Sequence, residues 1–198
     1  MAYTTTALVK TYLSVTSSAD DTLIGTLILR AQSMIDRYTG RTFESASDTT
    51  KYFDAKVDVY GVRLYFSEGF ELAQAPTTIT NGDNVVVVIN TNAVLVPANT
   101  APFYAIEMLN MGSMTWTYDA NGDPNRAISV LGRWAYSITA PDDVVSATIR
   151  LVSFLYRQRE TSADMDRPLS VGDGMILLPS RFPADIATIL EPYRRYSR

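Results

Sequence analysis

Gly132–Glu160 reads GRWAYSITAPDDVVSATIRLVSFLYRQRE, and the fold class turns on this stretch. It begins as a strand and ends as a helix. Pro141 suits the first helical position, where a missing N–H costs no hydrogen bond, and Asp142 and Asp143 complement the positive end of the helix dipole. Val144, Val145, Thr148, Ile149, Leu151, Val152, Leu155 and Tyr156 then recur at helical spacing and form an inward arc. Ser146, Arg150, Ser153 and Arg157 face outward, with Phe154 at the edge of that arc. Trp134 and Tyr136 stand just before the helix, where two large aromatics are expected to wedge a β region against a helical core.

Upstream of this junction, residues 51–139 are rich in Val, Ile, Thr, Tyr and Phe and are broken by Asn-Gly, Gly and Pro. Candidate strands are 51–54, 62–66, 85–89, 93–96, 104–108, 114–118, 127–131 and 134–138. NGD at Asn81–Asp83 and DANGD at Asp119–Asp123 supply turn chemistry between strands. Further upstream the period is helical again. A short helix over 4–15, capped by Thr5 or Thr6, is expected to bury Leu8, Val9, Tyr12 and Leu13. After the SSADD loop, a second helix places Leu23, Ile24, Leu27, Ile28, Ala31, Met34, Ile35 and Tyr38 on one arc, with Gln32, Ser33 and Asp36 opposite. Leu29 points out with the polar group, and Gly40 suits a left-handed C-cap.

Downstream of Glu160 the spacing predicts a long connection over 160–182, containing the apolar run Met175, Ile176, Leu177 and Leu178. Pro183 opens a last helix with Ile186, Ile189, Leu190 and Tyr193 on one face, bent or ended by Pro192. Residues past Pro192 are expected to add little to the core. The predicted class is α+β: a small α-helical bundle from the N- and C-terminal segments (1–45 and 140–198), with an antiparallel β domain inserted at 46–139.

Composition narrows the function. The chain has 198 residues, 46% hydrophobic and 19% charged, with no Cys and no His. That removes thiol nucleophiles, disulfides, Ser-His-Asp triads and the usual zinc ligands. The net charge of −4 is uneven. Residues 46–139 carry five basic and nine acidic side chains, while the flanks are balanced at four of each and eight of each. A clamp on nucleic acid needs a concentrated basic face, which is missing. DANGD has the look of a calcium loop, but Gly122 falls ahead of the required place and Val130 stands where the bidentate Glu belongs. Asp142-Asp143 is explained by its first helical turn. No phosphate-cradling glycine loop is present, and the aromatics are not interleaved with basic clusters. No cofactor is expected.

Four pieces, in order, resemble the head–tail connector (neck adaptor, or head completion) proteins of tailed bacteriophages. TALVKTYLSVTSSADDTLIGTLILRAQSMIDRYTGRTF (Thr6–Phe43) is similar to the family's opening, NTAPFYAIEML (Asn99–Leu109) to its middle, ISVLGRWAYSITAPDDVVSATIRLVSFLYRQRE (Ile128–Glu160) to its aromatic strand end and main helix, and FPADIATILEPYRR (Phe182–Arg195) to its closing helix. Ala135 stands where the family pattern has Gly.

The resemblance implies a non-enzymatic role at the head–tail junction of a virion made in a bacterial cytoplasm. Copies form a ring, typically a dodecamer, under the portal protein. The ring extends the DNA channel without sequence-specific binding and offers a platform to a downstream neck, stopper or tail protein; no membrane is involved. Partner-binding candidates are Met175, Ile176, Leu177, Leu178, Tyr193, Arg194, Arg195 and Arg198 in the tail, with Leu29, Phe154, Arg150 and Arg157 on helix faces. The alternatives are another structural virion protein (a tail-completion, minor capsid or decoration component), a carboxylate-based glycosidase, or a free sugar- or peptide-binding module.

Overall fold

Thr5 caps the first helix as its position predicts: its hydroxyl accepts the Leu8 N–H at 3.3 Å and opens α1 (Thr6–Leu13). The buried side chain of α1 is Val9; Leu8 and Tyr12 are about half exposed, contrary to the stripe expected from periodicity. Eight residues make barely two turns, so α1 presents one narrow line inward and leaves its flanks to water. Asp20 precedes α2 (Asp21–Thr39) but does not cap it with its side chain; its carboxylate accepts the Tyr156 hydroxyl at 2.7 Å, while Asp21 pairs with Lys10 at 2.7 Å. Gly40 ends α2 at φ +67°, a conformation that costs glycine nothing, and donates its N–H to the Asp36 carbonyl.

The computed structural model describes residues 2–55, 62–66, 69–109, 114–160, 169–171, 175–177 and 182–195. The chain divides into two packed units: one is Thr42–Ala140, the other Ala2–Arg41 together with the chain from Pro141 onward. No described helix is long and apolar enough to cross a membrane.

In the helical unit, α3 (Asp142–Glu160) packs on α1, α2 and α4 (Ala184–Leu190). Pro141 and Pro183 sit one place earlier than expected. Each is the residue whose carbonyl takes the first helical N–H, from Val145 and Ala187. Val144, Leu151 and Val152 are fully buried on α3, with Ile24, Ile28 and Ile35 on α2 and Ile186 and Leu190 on α4. Ser153, expected outside, is buried; its hydroxyl donates back to the Ile149 carbonyl at 2.8 Å, so the polar atom is satisfied within the helix. Buried Thr39 and Thr148 do the same toward Ile35 and Val144. Pro192 ends α4, and a 3₁₀ turn follows over Glu191–Tyr193. Within the predicted long connection, β7 (Leu169–Val171) and β8 (Met175–Leu177) pair antiparallel. A three-residue ladder is too short for a periodic signal to reveal.

The β unit holds two three-stranded antiparallel sheets. β1 (Thr49–Phe53), β6 (Ile128–Gly132) and β3 (Thr78–Thr80) form one in the order β1-β6-β3; β2 (Arg63–Tyr65), β5 (Ala105–Met108) and β4 (Ala93–Val96) form the other in the order β2-β5-β4. Phe53, Ile79, Ile128 and Val130 from the first sheet join Leu64, Leu95, Ile106 and Met108 from the second in one core. Trp116 and Trp134 complete it, and each anchors its ring nitrogen on a carbonyl, Val62 at 3.0 Å and Thr49 at 2.8 Å.

Three predicted strands are absent. Residues 85–89 touch β3 and β4 only through single bridges, and 134–138 through one bridge of Trp134 to Leu72. Residues 114–118 form no strand: Trp116 goes into the core, and Thr117 bonds Asn81. β3 was not predicted, because its Thr-Ile-Thr offers one apolar residue and no alternation to count.

Two loops lock together at one end of this unit. Asn81 donates to the Thr115 carbonyl and accepts from the Thr117 N–H, and Asp83 N–H donates to Thr117 Oγ1. Gly82 lies so close that a Cβ there would sit 2.2 Å from the Thr117 carbonyl oxygen and 2.4 Å from that of Tyr118. Backbone cannot yield as a side-chain tip does. Gly82→Ala is therefore expected to cost about 1–3 kcal/mol, read as a lower urea midpoint with an unchanged slope. An unshifted midpoint would mean that the two loops are not held together in solution.

Candidate partner-binding surfaces

The outward arc of α3 builds the first surface. Arg150, Phe154 and Arg157 come together with Tyr12 of α1 and with Pro183 and Ile186 around the start of α4, bordering a groove of about 460 Å³. Arg150 is fixed by an ion pair to the Asp185 carboxylate. Tyr12, expected inside, is 54% exposed and forms one wall. Three of the predicted partner-binding residues thus share one site, and Tyr12 was missed because an amphipathic count assigned it to the core.

The second surface is the seam between the end of α2 and the 3₁₀ turn. Arg41 Nε donates to the Tyr193 carbonyl at 2.7 Å, and Arg195 N–H donates to the Thr39 carbonyl at 2.7 Å. Tyr193 reaches Asp143 at 3.4 Å, and Tyr38 donates to Glu191 at 2.9 Å. Arg194 lies over the Tyr38 ring, 5.5 Å from its centroid, and pairs with Glu191 at 3.8 Å. Tyr193, Arg194 and Arg195 are therefore parts of the helical unit. As expected, none of the described residues past Pro192 is buried, yet they tie the unit down by hydrogen bonds: the Thr39 carbonyl at the end of α2 needs a donor, and the returning chain supplies the Arg195 N–H.

A third, larger groove of about 820 Å³ runs between α2 and α3. Its floor is Met34 and Leu155, its wall the stacked rings of Tyr38 and Phe182 at 4.9 Å, and its rim Arg30 and Arg37. The only sequence signal was the polar stripe Arg30, Ser33, Arg37 at helical spacing. Leu29 is 61% exposed on α2, as predicted, but lies outside both grooves.

Met175, Ile176 and Leu177 form β8; Leu178 and Arg198 lie outside the described residues. Trp134 packs among Phe53, Phe66 and Phe70 inside the β unit, with centroids 5.4, 5.0 and 5.9 Å away. Tyr136 packs on Phe43 at 5.6 Å and donates its N–H to the Thr42 carbonyl at 2.8 Å.

Charges on both units serve turns and packing. The Asp119 carboxyl is held below the ordinary carboxylate range, chiefly by the Asp123 N–H and further by Asn121 and Gly122. Burial pushes the Asp36 carboxyl up, partly opposed by the Tyr3 hydroxyl at 2.5 Å.

The grooves are walled by aromatic and aliphatic side chains and bordered by arginine. The sequence matches the head completion protein family model over residues 2–196, and the chain belongs to that family. Its role is structural, in head completion. No curated protein sequence matches the chain. Among solved structures, it is similar to a chain from the "Virion of native gene transfer agent (GTA) particle", with a TM-score of 0.57, 14% identity, and coverage of 99% of this chain and 91% of that one. At that identity the likeness shows the fold.

Proposed function

We propose that the protein is a head–tail adaptor: copies assemble as a ring under the portal, extend the DNA channel and present a platform to the next neck or tail protein. The observation that carries this reading is the family match over residues 2–196, which takes in both units and every surface described above. The structural neighbour is part of a gene transfer agent virion, and placement in a particle at the head–tail junction follows for this chain on the same reading.

Ring closure needs two different faces per subunit. The groove of Arg150, Phe154 and Arg157 supplies one. The β unit supplies a face of opposite sign, since residues 42–140 carry five basic and ten acidic side chains. Carboxylates lining a channel would also keep DNA phosphates from sticking, which passage without sequence-specific binding requires. The segment Met175–Leu178, with Tyr193, Arg194, Arg195 and Arg198, is the portal-facing part on this reading, and Trp134 and Tyr136 stiffen the β unit that meets the downstream protein.

Native mass measurement of the purified protein, alone and with portal, tests the proposal. A monomer or weak oligomer alone, converting to a ring on portal, is expected. A tight dimer indifferent to portal would sink the adaptor reading.

A further inference from the structure

Arg30 and Arg37 have no hydrogen-bonding, ionic or ring partner among the described residues, and in this they stand apart. Lys10, Arg63, Arg133, Arg150 and Arg194 each pair with a carboxylate. Lys51 and Arg126 lie over the Phe70 and Tyr52 rings, and Arg41 bonds the Tyr193 carbonyl. Arg157 and Arg195 are engaged as well. The two exceptions border the same groove, whose described lining contains no carboxylate. They sit seven residues apart on α2, about 10 Å along its axis. Between them the floor is apolar, with Met34 half-buried and Leu155 buried.

We propose that this groove binds an amphipathic helix of another particle protein. That helix would carry two carboxylates two turns apart, with aliphatic residues between them. Each guanidinium presents a planar fork that takes a carboxylate through two parallel hydrogen bonds, and the apolar floor takes the intervening side chains. Duplex DNA is the poorer fit: it would use the two charges but leave the apolar floor and the Tyr38–Phe182 wall unfilled. A second copy is also a poorer fit, because no described helix of this chain carries two carboxylates two turns apart; those of α4 and its 3₁₀ turn, Asp185 and Glu191, already pair with Arg150 and Arg194. The inference rests on the adaptor reading only in taking the partner to be a protein of the particle.

The test uses the full chain and labelled helical peptides of about fifteen residues. Their Glu pairs are spaced at one, two or three turns around a Leu pair, and binding is read by fluorescence anisotropy. The two-turn peptide should bind best. The double variant Arg30→Glu/Arg37→Glu should weaken it at least about tenfold, and a peptide with Lys in place of both Glu should bind that variant and not the natural protein. This swap also shows that the variant is folded. Equal binding of all three spacings, absence of binding, or binding of a duplex DNA probe that alone is lost in the double variant would overturn the proposal. Ring formation on portal is a separate readout. Loss of peptide recognition with rings intact faults the groove, and loss of rings with peptide recognition intact faults the adaptor reading.

Discussion

Trp134→Ala is expected to destabilise the β unit by about 3–5 kcal/mol, the usual cost of emptying a large aromatic site. The side chain is 7% exposed and touches three phenylalanine rings, with Phe66 edge-on at 82°. Its ring N–H holds the Thr49 carbonyl, so truncation also leaves the first residue of β1 without that donor. Leu72 pairs its backbone with Trp134 on one side and with Phe103 on the other, so the damage should spread into the segment around Leu72. Thermal melts followed by near-ultraviolet circular dichroism should show an earlier loss of the aromatic signal. Trp134→Phe keeps a ring but not the donor and should cost far less. A melt of the Ala variant matching the natural protein would mean that Trp134 is solvent-exposed, and it would then count among the partner-binding residues.

Removal of residues 193–198 is the second large effect. The deletion takes away the acceptor of Arg41, the donor to Thr39 and the cation over Tyr38. At about 1 kcal/mol for each net hydrogen bond, and more for one with a charged donor, a loss of about 2–4 kcal/mol is expected in the helical unit. Hydrogen exchange should report it as lost protection in the last turn of α2 and the first turn of α3, with the β unit unchanged. Protection equal to that of the intact chain would show that the tail only decorates the unit. Any loss of portal attachment on truncation must therefore be compared with Arg41→Ala, which removes one tether and leaves the tail in place.

Periodicity revealed the long elements well, because a helix of nineteen residues repeats its buried line several times. α2 and α3 are legible for that reason, and so are the polar turns at Asn81 and Asp119. Short elements carry too few repeats. α1 hides one residue where four were expected, and β3, β7 and β8 each have three residues. The surplus strands failed on pairing, since Val-rich 85–89 has high β propensity but meets its neighbours only through single bridges.

The sites divide in the same way. Arg150, Phe154 and Arg157 could be grouped because they share one helix face. Tyr12 could not, since it joins them only through the packing of α1 on α3. Nothing in the sequence around Arg30 and Arg37 sets them apart from other charged residues on a helix. What distinguishes them is the absence of partners among the described residues, and a partner list exists only in three dimensions.

The helical unit draws its elements from both ends of the chain, whereas the β unit is one continuous stretch. During synthesis, at about 5–20 residues per second, α1 and α2 emerge first. They must then wait through the making of some hundred residues with Ile24, Ile28 and Ile35 uncovered, because α3 and α4 are still unmade. The β unit has no such wait and can close as soon as Ala140 clears the ribosome. The seam of Arg41 to Tyr193 and Thr39 to Arg195 is among the last contacts available. A nascent chain that ends before Phe182 therefore lacks both finished grooves.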